Sequence, residues 1–226
     1  MMTESELLYP CATFYNHRGL ENQYIENTLN AFIHSNLQGI ECDVRLTKDR
    51  RIVVHHDDNL KRIYKIDQEI SKTRLDNLKL LTENSLLQLF EVISLAQKLG
   101  KKLIIDIKET LPKNIEFVIL FTKRYCQLIS FQLMNVTFLS WTLFHVSILG
   151  VSVLYATESC SLTSEERLYI DSNNFDGMCL HYDGVNKGFQ KFNSLGYIVN
   201  IYVKEKHLAT LNKNDISSML VTVMCD

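Results

Sequence analysis

The sequence predicts an α/β fold, a compact (β/α)8 barrel of the TIM type, and three observations lead to it. Eight short β-rich runs recur along 226 residues, stretches of helical period separate most of them, and charged and imidazole side chains collect at the carboxyl ends of the first runs. Alternating strands and helices give a parallel sheet, and eight repeats favour closure over an open doubly wound sheet. With 46% hydrophobic, 22% charged and 10% aromatic residues the chain can bury one continuous core, so disorder is excluded and residues 1–226 read as one domain.

In chain order the runs are 11–16, 40–46, 103–107, 136–140, 151–156, 177–180, 198–203 and 219–223. The first helix starts at Glu26 and Asn27. An additional short strand at 51–54 follows the second run closely, and 57–82 is polar and helix-poor, which predicts a small loop insertion above the barrel after the second strand. The clearest helix is 85–99, where Leu86, Leu89, Phe90, Ile93 and Ala96 form one stripe before Gly100 ends it. The sequence stops directly after the last run, so no final outer helix is expected, and residues 1–10 are the candidate cover at that place.

Charge and composition exclude several functions. Lysine and arginine number 24 against 26 acidic residues, for a net charge of -2, so no broad footprint for nucleic acid or anionic lipid is present. No apolar run reaches the roughly 18 residues a membrane span needs, and the first residues lack the basic and apolar regions of a secretory leader, so a cytoplasmic protein without a transmembrane segment is expected. Six cysteines (Cys11, Cys42, Cys126, Cys160, Cys179, Cys225) include no C-x-x-C pair and suit reduced, buried thiols.

The chemistry is concentrated where a strand should not carry charge. In Ile40-Glu41-Cys42-Asp43-Val44-Arg45-Leu46 the apolar residues share one face and the charged ones the other, because strand side chains alternate. If the apolar face meets the helices, Glu41 and Asp43 point at the barrel axis, where an isolated charge costs several kcal/mol unless paired or metal-bound. Asp106 and Lys108 repeat the pattern in 104–108. His17-Arg18-Gly19 and His55-His56-Asp57-Asp58 lie at the same end; His55 should face away from His56. His34, His145, His181 and His207 have no such company and read as ordinary histidines. Glu41, Asp43 and Asp106 against Arg18 and Lys108 leave one net negative charge, which a divalent cation and a singly charged phosphodiester bring to neutral. Three carboxylates suit Mg2+ or Ca2+ better than zinc.

These residues resemble the signature of the glycerophosphodiester phosphodiesterase family: His17-Arg18-Gly19, Glu26 to Phe32, Gly39 to Asp49 and Val53 to Leu60 follow it in order and spacing. The resemblance, close over the first half, implies a (β/α)8 barrel with an insertion after the second strand. It implies hydrolysis of glycerophosphodiesters, such as glycerophosphocholine or glycerophosphoethanolamine, to glycerol 3-phosphate and an alcohol. Carried over residue by residue, it makes Glu41, Asp43 and Asp106 ligands of one divalent cation, Mg2+ or Ca2+, and His17 and His56 the acid/base pair. Arg18 and Lys108 would hold the phosphate, Glu26 and Asn27 would shape the pocket, and Tyr202 would supply the aromatic wall where the family has Trp. Two further departures are Asp106, where the family usually has Glu, and the absence of the usual Thr-Asp from 220–223. Two other readings follow: a phospholipase D of the sphingomyelinase D kind acting on lysophospholipids or sphingomyelin, and a catalytically silent barrel that binds a phosphorylated ligand.

Overall fold

The computed structural model describes residues 12–158, 164–182, 197–208, 210–211 and 219–224. The expectations placed on residues 1–10, Cys11, Cys160 and Cys225 lie outside the described residues.

Among the described residues nine strands carry the fold: β1 (Thr13–Asn16), β2 (Gly39–Leu46), β3 (Ile52–Val54), β4 (Lys102–Ile107), β5 (Val136–Ser140), β6 (Ser152–Ala156), β7 (Gly177–Tyr182), β8 (Ile198–Lys204) and β9 (Leu220–Met224). Eight of them pair in parallel around a ring, in the order β1-β9-β8-β7-β6-β5-β4-β2, and the parallel pairing of β1 with β2 closes it. Closure leaves no edge in the barrel. β3 lies outside the ring as an antiparallel partner of β2, matching Val44 to Val54.

Alternation along each strand divides the apolar residues into two cores. Phe14, Ile40, Cys42, Val44, Ile105 and Phe138 face outward into the layer shared with the helices. Tyr15, Ile104, Leu139, Leu154, Cys179 and Tyr202 fill the barrel interior. The outer layer includes α4 (Leu89–Leu99), after α1 (Leu29–Ile33), α2 (Lys61–Tyr64) and α3 (Leu75–Leu81), with α5 (Pro112–Ile129), α6 (Ser164–Ser172) and α7 (Glu205–Leu208) following it. Thr28 caps α1, its side chain accepting from the Ala31 N–H. Glu26 and Asn27 therefore lie immediately before the cap, at the start of α1.

Two expectations need correction. The helix at 85–99 begins at Leu89, so its fully buried stripe is Leu89, Val92, Ile93 and Ala96, while Leu86 belongs to another cluster. That cluster is the second correction. Residues 57–82 contain α2 and α3, and Leu60, Ile70, Leu75 and Leu78 join Val53 and Leu86 in a small core of their own. The apolar residues of the insertion are too irregularly spaced for periodicity to find. Cys42, Cys126 and Cys179 are buried free thiols, and burial pushes that of Cys126 up to about 11. Among the described residues no helix is long and apolar enough to cross a membrane.

Candidate active site

The register of β2 and β4 sets the centre. Glu41 and Asp43 alternate onto the inner face of β2, and Asp106 lies opposite Asp43 on β4. All three are buried. One oxygen from each lies within 4.8 Å of the others, so the shorter Asp106 still reaches the cluster. Three carboxylates this close repel one another, and the surrounding donors determine which charges are tolerated.

Asp43 is the best supported. Lys108 Nζ lies 3.0 Å from its Oδ1, and Arg18 Nε lies 3.0 Å from its Oδ2. Asn27 clamps it in both directions, donating from Nδ2 to Oδ2 at 2.7 Å and accepting the Asp43 N–H at 3.2 Å. Burial alone would raise its pKa, but Lys108 and Arg18 outweigh burial and hold it below the usual carboxylate range. Lys108 also donates to Asp106 Oδ2 at 2.7 Å, and Trp141 Nε1 donates to Asp106 Oδ1 at 2.8 Å. Burial and Asp106 push the Tyr202 phenol far up, so its O–H stays protonated and donates to Asp106 Oδ2 at 3.3 Å. Glu41 is left short. Its Oε2 accepts the Arg18 N–H at 2.8 Å, while its Oε1 is buried with no hydrogen-bond partner. Burial, then Asp43 and Asp106, drive its pKa well above the carboxylate range. An orphaned carboxylate oxygen inside an all-oxygen cluster is what a hard divalent cation would satisfy, so the residues present fit one.

The turn after β1 is shaped for this site. Arg18 and Gly19 both adopt left-handed φ, 52° and 81°, and the Arg18 conformation accompanies the bond from its N–H to Glu41. A Cβ on Gly19 would lie 2.7 Å from the Ala31 backbone, so the turn can sit against α1 only with glycine there.

A cavity of about 350 Å3 opens above the carboxylates, and His17, His56, Arg18, Lys108, Trp141 and Tyr202 are among its walls. Each imidazole has a carboxylate on Nδ1: Glu21 lies 2.8 Å from His17, and Asp57 lies 2.7 Å from His56. A carboxylate at Nδ1 favours the tautomer with its proton there and leaves Nε2 to exchange protons. Burial would raise the Asp57 pKa, yet hydrogen bonds from Arg62 and His56 bring it down to about 2. His55 faces away, with Nε2 3.0 Å from the Asn59 carbonyl. The predicted site residues thus meet at one mouth.

Reading the sequence missed several contributors. Glu21, four residues after His17, and Asp57, beside His56, carry a local signal. Arg62 donates to both oxygens of Glu26, at 2.6 and 2.7 Å, and to Asp57 at 2.7 Å; it comes from the insertion, and no motif points to it. Arg45 Nε donates to the His56 carbonyl at 2.7 Å. Trp141 sits just beyond β5. His181 is not an ordinary histidine: it lines the same cavity and stacks on Tyr202, whose ring also meets His17 edge-on. Only strand register reveals this, because His181 pairs with Tyr202 across β7 and β8.

Fold and site together define a (β/α)8 barrel with its polar centre at the carboxyl mouth, the placement that barrel enzymes use. The chain belongs to the glycerophosphoryl diester phosphodiesterase family, whose model matches residues 17–142, more than half of its length. A glycerophosphodiester phosphodiesterase from Bacillus altitudinis is 51% identical over 51 residues, 21% of each chain. Such matches span less than a third of the length of the curated relatives. Among solved structures, a glycerophosphodiester phosphodiesterase from Thermotoga maritima superposes with a TM-score of 0.77 at 24% identity, covering 94% of both chains. A phosphodiesterase from Oleispira antarctica, solved with the product sn-glycerol-3-phosphate, gives 0.73 at 20% identity, covering 93% of this chain and 92% of that one. At these identities the likeness is one of fold.

Proposed function

We propose that the protein hydrolyses glycerophosphodiesters, such as glycerophosphocholine or glycerophosphoethanolamine, to glycerol 3-phosphate and an alcohol. One observation carries the reading: three buried carboxylates, one with an orphaned oxygen, lie beneath a cavity walled by two carboxylate-partnered imidazoles. The product complex of the Oleispira antarctica phosphodiesterase supports the substrate class.

Glu41, Asp43 and Asp106 would hold one divalent cation, Mg2+ or Ca2+, which supplies Lewis-acid stabilisation of charge on a phosphoryl oxygen. Arg18 and Lys108 add positive charge at the same wall and orient the phosphate. Of His17 and His56, one removes the proton from the attacking group, either water or the neighbouring glycerol hydroxyl; in the second case a cyclic phosphate forms as the alcohol leaves, and water then opens it to glycerol 3-phosphate. The other protonates the departing alcohol oxygen. The ring of Tyr202 forms the wall beneath the glycerol. Buried free thiols at Cys42, Cys126 and Cys179 support a reducing, cytoplasmic setting.

The test is incubation of purified protein with glycerophosphocholine, glycerophosphoethanolamine and a lysophospholipid, with and without a chelator, and identification of the phosphate ester released. Glycerol 3-phosphate that disappears with the chelator is the expected result. Preferred release of lysophosphatidate moves the assignment to a phospholipase D, and no turnover of any substrate leaves a silent, ligand-binding barrel.

A further inference from the structure

Asp106 and Lys108 share a neighbour that the chemistry above leaves without a role. Trp141, the single tryptophan of the sequence, is half-buried at the cavity wall. Its Nε1 donates to Asp106 Oδ1 at 2.8 Å, and its ring lies 5.1 Å from Lys108 Nζ. Lys108 in turn touches Asp106 Oδ2 at 2.7 Å and Asp43 Oδ1 at 3.0 Å. One indole therefore contacts both the third carboxylate and the ammonium group that ties it to the second.

An aspartate has little internal preference for the direction of its oxygens, because its terminal torsion is broad. Outside donors must fix the carboxylate plane, and an indole N–H can only donate. It binds Oδ1 from one side while Lys108 and Tyr202 bind Oδ2. A carboxylate held this way presents its remaining lone pairs to the cluster in one orientation. The ring face attracts the ammonium group by its quadrupole, which seats Lys108 where it reaches two carboxylates at once.

We propose that Trp141 is the positioning residue of the acidic cluster: its N–H sets the plane of Asp106, its ring seats Lys108, and its emission reports occupation of the cluster by a divalent cation. The proposal rests on the cation site put forward above. A cation among the carboxylates changes the charge that the indole faces, and indole emission follows nearby charge because its excited state has a large dipole. A wall residue with only a packing role predicts no dependence of cation affinity on the N–H.

The test titrates the folded wild-type protein with MgCl2 and with CaCl2, following tryptophan emission and, in parallel, heat by calorimetry. A saturable emission change with the calorimetric midpoint is expected, and Glu41→Gln should abolish both signals. Trp141→Phe keeps a ring for Lys108 and removes the N–H; its calorimetric dissociation constant should rise about 10-fold or more. Silent emission during calorimetrically detected binding, or a Trp141→Phe affinity within twofold of wild type, overturns the positioning role alone. Absence of heat with both cations in the wild type overturns the cation site and this proposal together. If Trp141→Phe does not fold, 5-fluorotryptophan at the single site decides: one fluorine resonance that shifts at the calorimetric midpoint supports the proposal, and an unmoved resonance overturns it.

Discussion

His17 and His56 show how a single carboxylate neighbour turns a common side chain into a candidate for proton transfer. Both face one cavity, and each leans on an acid through Nδ1. His17→Ala and His56→Ala should each lower turnover of glycerophosphocholine by about 100-fold or more; pH–rate profiles that match wild type in both variants remove them from acid/base chemistry. Asp57 carries a stability prediction as well. Its folded pKa lies below its ordinary value of 3.8, near 2. Its contribution is therefore present above about 3.8 and lost as pH falls through 2. Asp57→Asn should melt below wild type at neutral pH, and the difference should narrow between pH 4 and pH 2. Because Asp57 is only partly covered, the gap is expected to be small. A gap that widens on acidification would contradict the Arg62 and His56 contacts as its cause.

Among elements, the strand pairs set the tolerance for change. Where β7 passes β8, a Cβ on Gly177 would lie 1.8 Å from the Ile198 carbonyl oxygen. That atom is backbone and paired in the sheet, so it cannot swing aside. Gly177→Ala should cost about 3 kcal/mol or prevent folding, read as a lowered urea midpoint; a midpoint equal to wild type would mean the two strands are farther apart. The insertion acts on the site through Asp57, which lies against His56 Nδ1, and through Arg62, which joins Glu26 to Asp57. Its own small core around Leu60, Ile70 and Leu78 holds α2 in place. Without that core the arginine would be a flexible side chain facing solvent.

For the whole molecule, the cluster stores an unfavourable charge that a bound cation would offset. Mg2+ or Ca2+ at 100 times its dissociation constant should stabilise the fold by about 2.7 kcal/mol, which raises the melting temperature by roughly 5–10 °C for a chain of this size. A chelator should reverse the rise. Glu41→Gln should remove it and at the same time raise the melting temperature of the cation-free protein at neutral pH, because it deletes a buried acid whose raised pKa costs stability above the ordinary carboxylate range. A Glu41→Gln protein that still gains stability from either cation would show that the ion binds elsewhere.

Composition and alternation alone determined the barrel, the inward turn of Glu41, Asp43 and Asp106, and the meeting of the two histidine motifs at one mouth. Those features are local: a period of two fixes which face a residue occupies, and a parallel sheet sends all strand ends the same way. Folding decided the rest. Trp141 lies 35 residues from the aspartate it touches, Arg62 lies 36 from Glu26, and His181 reaches the site only through register with Tyr202. Contacts of that separation leave no periodic trace, because ring closure and strand register bring together segments whose sequences carry no mark of one another.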